Sequence, residues 1–488
     1  MAGRQLPSLP QYRKDGVTRR LCASVHLNEA FARLVHHELI ADRLTGTGPP
    51  LGINLVALAR HAQAALGRRD ALDRSLRPLF LAFWVGPLAG LWALVAGHGA
   101  LAMLIVYGPV AVFGAAWWLV RRAEAQAREA AQSVYRAGEK ADLLAPPLDP
   151  ATEARLAEMK RFNVVTYTAA AQLSHPFVGS GKKIKETVWQ PIDVSRPADA
   201  PGGGKLAIKP FDAVDLHTYV AKEMEAISGL EGLRVRNRLY VVGVNAYMLP
   251  ELLPDRTGRP RAQVPKQLVQ AGLQRPGAGM RTHLCLERVG EGGRVIVSMY
   301  LRARLHHPSL TWEVAAYAIP PLHAAHSRVD RLPISASERW WSLVSHATRA
   351  TWPELRGAGG RIRARRRLRR VRTRDLAKVR RDITEQHLVY DCGAEDSLRE
   401  LIGDWAQAGY TERVDSQDFL FRLQQGVLVA TERFLEAHHV DTGSFDRAQQ
   451  VISTQTYNIS GDITGPANIG GNGQITVQGQ QSPQGSGP

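Results

Sequence analysis

Residues 78–120 read PLFLAFWVGPLAGLWALVAGHGALAMLIVYGPVAVFGAAWWLV and contain no Asp, Glu, Lys or Arg. A helix needs about 20 apolar residues to cross the hydrocarbon core of a bilayer, so this stretch is long enough for two passes. Gly97-His98-Gly99 breaks it, which predicts helices at 79–96 and 100–120 joined by a very tight turn. A soluble helix pair of this composition would need polar outer faces, which the sequence does not supply. Upstream lie Arg60, Arg68, Arg69, Arg74 and Arg77; downstream lie Arg121, Arg122, Arg128, Arg136 and Lys140; the turn carries none. The positive-inside rule then assigns both termini to the cytosol and the chain to the cell membrane. Trp84, Trp117 and Trp118, with Arg77, Arg121 and Arg122, have the composition of an interfacial anchor.

Each expected span holds a Gly-Pro pair, Gly86-Pro87 and Gly108-Pro109, with both prolines eleven positions from His98 and hence at matched depth. Proline frees a carbonyl one turn earlier, so Pro87 and Pro109 are candidate kinks, a hinge or a constriction in an oligomer. The simpler reading gives the small residues to close helix packing. No ionisable residue lies in either span, and ion-coupled transport ordinarily needs one. The N-terminus MAGRQLPSLPQYRKDG has no apolar stretch after its basic residues, so it reads as neither a signal peptide nor a first anchor.

The 488 residues leave room for two or three domains besides the membrane segment. Three scattered cysteines, Cys22, Cys285 and Cys392, argue against a disulfide framework and fit a reducing compartment. Residues 1–77 carry two amphipathic patterns, 26–42 and 53–76, and 121–145 continues as a helical stalk until Pro146-Pro147. From 146 to 335 short β-type runs dominate: KIKETVWQPIDV, KLAIKPF, RNRLYVVGVNAYML, THLCLERV, RVIVSMYLRARL and TWEVAAYAIP, with a hairpin expected near 290–293 and a helix over 213–228. The fold class is therefore α+β: a two-helix transmembrane hairpin, an α+β domain, a helical region over 336–452 and a low-complexity tail over 453–488.

Catalytic constellations come only as near misses. Gly-Ser-Gly-Lys-Lys at 179–183 has the end of a phosphate-binding loop, but Pro176 stands where its first glycine belongs and Lys183 where a Ser or Thr should bind magnesium. Ser180 and Lys183 match Ser-x-x-Lys without that enzyme class's companion motifs. His323 with His326, or His306 and His307 with Glu313, are metal-type pairings that sixteen histidines generate freely. No catalytic, metal or cofactor residue is assigned, and the reading leans away from an enzyme.

The formal charge of +17 is concentrated in one place. Thirteen Lys or Arg against Asp375 alone fall within 356–381, although 51 arginines to 11 lysines is also a ratio that GC-rich coding produces. Over 361–383 Leu368, Val371, Leu376, Val379 and Ile383 share one arc of a helical wheel, which makes this a basic amphipathic helix. Arg363, Arg365, Arg366, Arg367, Arg369, Arg370 and Arg372 are then candidate contacts for anionic headgroups, with nucleic acid as the rival partner. A third reading packs the apolar arc on the protein's own domain.

The tail holds one charge, Asp462, and eight glycines, too little to build a core. Asn458-Ile459-x-Gly461 repeats at Asn468-Ile469-x-Gly471, followed by Ile475 and Val477 in a β-type run. Uncharged β-formers between Asn and Gly suit stacking of copies as cross-β layers. Residues 457–478 resemble the short amyloid signalling motifs of bacterial and fungal immune receptors and membrane effectors, of the pseudo-palindromic Asn/Ile/Gly type. That resemblance implies homotypic assembly, of the chain with itself or a second protein, although Pro466 interrupts the repeat. The functional expectation is a two-span, non-enzymatic membrane scaffold or effector. The alternatives are a membrane-tethered enzyme with a site in 160–335 and a membrane-tethered nucleic-acid binder through 356–381.

Overall fold

The computed structural model describes residues 13, 15–98, 103–172, 175–227, 230, 232–443 and 445. The chain opens with α1 (Gly16–Leu27) and α2 (Glu29–His36), separated at Asn28, whose side chain accepts a hydrogen bond from the Phe31 amide. The pattern expected over 26–42 is thus two pieces, because Asn28 is a better cap than an interior residue. Helix α3 (Leu55–Val95) is capped by Asn54 and runs unbroken through Pro78 and Pro87. It stops where Gly97 adopts a left-handed φ of +77°, the conformation that closes a helix end at least cost in glycine. Helix α4 (Leu104–Arg136) contains Pro109 and returns alongside α3. A Cβ placed on Gly108 would lie 4.0 Å from the Cα of Gly86, so the two glycines face each other.

Among the described residues one helix, α3, is long and apolar enough to cross a membrane, and only 11% of its most apolar window is buried. Trp84, Leu88 and Trp92 are 56%, 65% and 71% exposed, and Tyr107 and Val110 on α4 are 65% and 66% exposed. Below them the stalks of α3 and α4, together with α1, α2 and α5 (Pro150–Glu158), bury a shared core of Leu21, Phe31, Leu39, Leu58, Val134 and Leu156.

The sheet follows. Its strands are β1 (Val164–Tyr167), β2 (Lys182–Val188), β3 (Ile192–Asp193), β4 (Leu233–Val242), β5 (Met280–Val289), β6 (Ile296–His306) and β7 (Ser309–Ile319). Their order is β1-β4-β5-β6-β7-β2, with β3 also on β7; β1 pairs in parallel with β4 and the other pairings are antiparallel. The β5–β6 hairpin turns through Gly292 and Gly293. Because side chains alternate, Leu284, Leu286, Met299 and Trp312 point to one face. There α6 (Ala213–Ala226) and, far along the chain, α9 (Tyr410–Ala437) cover them with Val220, Leu423 and Phe434. The other face carries Tyr240, Cys285, Tyr300 and Tyr317. Helix α7 (Lys266–Gln274) follows an irregular loop, and α8 (Ala336–Glu385) is a 50-residue rod.

Two sequence expectations are corrected. KLAIKPF (205–211) forms no strand; it runs as an extended connector, with the Leu206 amide bonded to the Ala198 carbonyl and the Lys209 amide to the His438 carbonyl. Nor is 336–452 a helical region apart from the β domain, since α9 completes the core on the sheet. An amphipathic period gives a helix its apolar face but not the surface it will meet.

Candidate membrane-proximal basic site

Helix α8 starts at Ser335, whose hydroxyl accepts from the Glu338 amide, with Glu338 favourably placed in the first turn. It meets α4 first, where Arg128 donates to Ser342 Oγ at 2.7 Å and Trp117 Nε1 donates to Thr348 Oγ1 at 3.2 Å. It meets α3 next, where Trp352 lies edge-on to Phe83 with ring centroids 5.4 Å apart and Glu354 pairs with Arg69. Ala347, Leu355 and Ala358 bury against Leu72, Leu76, Ala116 and Val120, the alanines letting α8 approach closely. The rod thus braces the hairpin at the edge of its apolar segment.

One turn later the basic run begins. Arg361 donates to Asp73 Oδ1 through Nε at 2.9 Å and Nη2 at 2.6 Å. The Arg365 Nη2 atom lies 2.6 Å from Asp73 Oδ2, and its Nε lies 3.0 Å from Asp70 Oδ1. Arg369 approaches Asp70 at 3.9 Å. Residues 361, 365 and 369 recur every four positions, so they share the face turned to α3. Asp73 is fully buried. Burial works against its ionisation, yet the hydrogen bonds from Arg361 and Arg365 prevail and hold the carboxyl below its ordinary value. His36 on α2 is pushed down by burial and then by Arg369 and Arg372, so α2 meets the same guanidinium field.

The sequence-predicted contact residues therefore divide. Arg365 turns inward to acids of α3, Arg369 is 80% exposed and only approaches Asp70, and Arg363, Arg366, Arg367, Arg370 and Arg372 are exposed. Arg363, Arg366, Arg367, Arg370 and Arg374 line one open groove beside Val371, and no ion pair joins any of these five to a described residue. The expected apolar arc packs only toward its end: Leu368 and Val371 are 50% and 42% exposed, Leu376 and Val379 are half-buried, and Ile383 is buried. Ion pairs to Asp70 and Asp73 hold the start of the basic run instead. These two acids were missed because they lie almost three hundred positions upstream; the available signal was a pair of carboxylates, three apart, in an otherwise basic approach to the charge-free stretch.

Around the apolar segment, Arg121 lies 5.9 Å over the Trp117 ring and Arg122 lies 5.2 Å over Trp118, while Arg77 and Trp84 are exposed. These guanidinium–indole stacks place cation and ring at one level. Pro87 and Pro109 sit within unbroken helices beside the facing Gly86 and Gly108. The assembly residues Asn458, Ile459, Gly461, Asn468, Ile469, Gly471, Ile475 and Val477 lie outside the described residues.

In the α+β domain the near-miss loop is occupied from within. Gly179 and Gly181, both with positive φ, direct their amides to the carboxylate of Glu400, where a phosphate loop would hold its ligand. The second sheet face is filled as well: Phe177 stacks on Tyr300 at 4.2 Å, and buried Arg238 pairs with buried Glu287 under the ring of Phe162. His326 bonds Ser24, and His323 caps the amide of Ala325. No group of three metal-ligating side chains occurs among the described residues.

A family model described as the AbeC-like domain matches residues 188–474. The match takes in β3 to β7, α6 to α9 and both Asn-Ile-x-Gly copies, and it leaves out α3 and α4. No curated protein and no solved structure matches the chain.

Proposed function

We propose that this chain, which belongs to the AbeC-like domain family, is a membrane-anchored, non-enzymatic scaffold or effector. In this reading α3 and α4 cross the bilayer as a hairpin with both termini in the cytosol, α8 fixes the hairpin to the family domain, and the tail joins copies. The observation that carries it is the surface of the hairpin. Trp84, Leu88, Trp92, Tyr107 and Val110 are all more than half exposed, on helices whose other ends are packed in a folded core. In water such a contiguous apolar surface is a liability; in lipid it is the expected outer face. The Arg121 and Arg122 stacks and the exposed Arg77 then mark the cytosolic boundary. Alkaline carbonate extraction of membranes from cells expressing the full chain tests this. Retention in the pellet is expected, and release to the supernatant would remove the hairpin reading.

The assembly role rests on the Asn-Ile-x-Gly pair alone, both copies of which fall inside the family span. A synthetic 453–488 peptide is expected to form fibrils that seed fresh peptide, and a peptide that stays monomeric at high concentration contradicts that role. An active site in 160–335 draws no support from the sheet's inner face, which Phe177 and the Arg238–Glu287 pair fill.

A further inference from the structure

Helix α8 presents two arginine faces with different surroundings. The inner one, Arg361 and Arg365, is satisfied by Asp70, Asp73 and Glu354, with Arg369 at its exposed edge 3.9 Å from Asp70. The outer one runs through Arg356, Arg363, Arg366, Arg367, Arg370 and Arg374, all exposed, and none of them has an ion-pair partner among the described residues. The five from Arg363 to Arg374 span about 17 Å along the helix at 1.5 Å per residue.

Their depth decides what they face. The charge-free stretch of α3 begins at Pro78, and Asp73 and Asp70 precede it by five and eight residues, or about 8 and 12 Å along the helix. The headgroup layer is only about 5–8 Å thick on each side. Since Arg365 is tied to both acids, Arg370 and Arg374, which follow it on α8, stand in water beyond the headgroups. Further on, Asp255, in the loop before α7, is held below its ordinary value first by hydrogen bonds from the Thr257 amide and hydroxyl and then, in smaller part, by Arg380 of α8. So α8 leads away from the membrane rather than along it, and a flat lipid surface meets at most the first arginines of the outer row.

A linear array of guanidiniums directed into the cytosol suits a ligand whose negative charges are themselves in line. We propose that the outer face of α8 binds the phosphodiester backbone of nucleic acid, Arg363, Arg366, Arg367, Arg370 and Arg374 each pairing with phosphate. An α-helix of about 10–12 Å diameter also matches the major groove of a duplex. The scaffold reading and this site are separable: the membrane reading serves only to exclude lipid as the occupant.

The test uses the full chain in nanodiscs of zwitterionic lipid, titrated with a fluorescent duplex of about 20 base pairs over about 50–200 mM salt. Binding that weakens steeply with salt is expected. The triple variant Arg366→Ala, Arg370→Ala, Arg374→Ala should bind at least about tenfold more weakly, with a salt slope shallower by about 2–3. The matching Lys triple should keep most of the affinity, which separates charge from folding. No duplex binding, or an Ala triple as good as the native chain, overturns the proposal. So does an Ala triple that loses anionic-vesicle binding but not duplex binding. A chain that never enters the nanodisc argues against the membrane reading, and duplex binding then decides the stripe in detergent.

Discussion

Asp73 is the residue on which the basic site beside the apolar hairpin turns. It is fully buried between α3 and α8 and receives Arg361 and Arg365 together. Removing one partner from a buried pair commonly costs about 3–5 kcal/mol. Arg361 and Arg365 keep 24% and 21% exposure and have Glu354 and Asp70 as second partners, so Asp73→Ala should cost less, about 2 kcal/mol. Because the folded-state pKa of Asp73 lies below its ordinary value, this stabilisation is complete above that ordinary value and disappears only as pH falls through the lowered one. Thermal unfolding in detergent should therefore show the same deficit for Asp73→Ala at pH 7 and pH 5; a deficit that vanishes at pH 5 contradicts the assignment. The Arg238–Glu287 pair makes a second residue-scale case, both side chains being 2% exposed. Glu287→Ala should destabilise by about 3–5 kcal/mol, while Arg238→Leu with Glu287→Leu should recover most of it. If the double variant is as unstable as the single, the pair contributes specificity that apolar packing does not replace.

At the scale of elements, the sequence was most readable where a single period ran long. The hydropathy of 78–120, the β5–β6 hairpin and the helix expected over 213–228, observed as Ala213–Ala226, were visible because local pattern sets local structure. What remained hidden was pairing. The period of α9 predicts an apolar face but not that the β5–β7 face receives it, and the arc from Leu368 to Ile383 packs only at its end, ion pairs holding its start. Likewise, Gly179 and Gly181 suggested a ligand loop, and only the fold shows Glu400 filling it. The facing of Gly86 and Gly108 carries an element-scale prediction. A Cβ on Gly108 meets Gly86 at ordinary contact distance, so Gly108→Ala should leave the hairpin intact, whereas Gly108→Leu should wedge the helices apart. Detergent-phase melting compares them, and equal loss in both variants, or in neither, contradicts the close approach.

For the whole molecule, two helices tie distant parts of the chain together: α8 braces the hairpin, and α9 closes the core of the sheet. The proposed function stands on the hairpin crossing the bilayer with the rest in the cytosol. Cys22, Cys285 and Cys392 are all buried, so introduced cysteines can be read against a quiet background. The most direct measurement is labelling by a membrane-impermeant maleimide of two single variants, His98→Cys in the exposed turn after α3 and Gly203→Cys in the exposed loop before α6. The account predicts that His98→Cys reacts in intact cells and Gly203→Cys only after permeabilisation. Reaction of both only after permeabilisation, or of Gly203→Cys in intact cells, would contradict it.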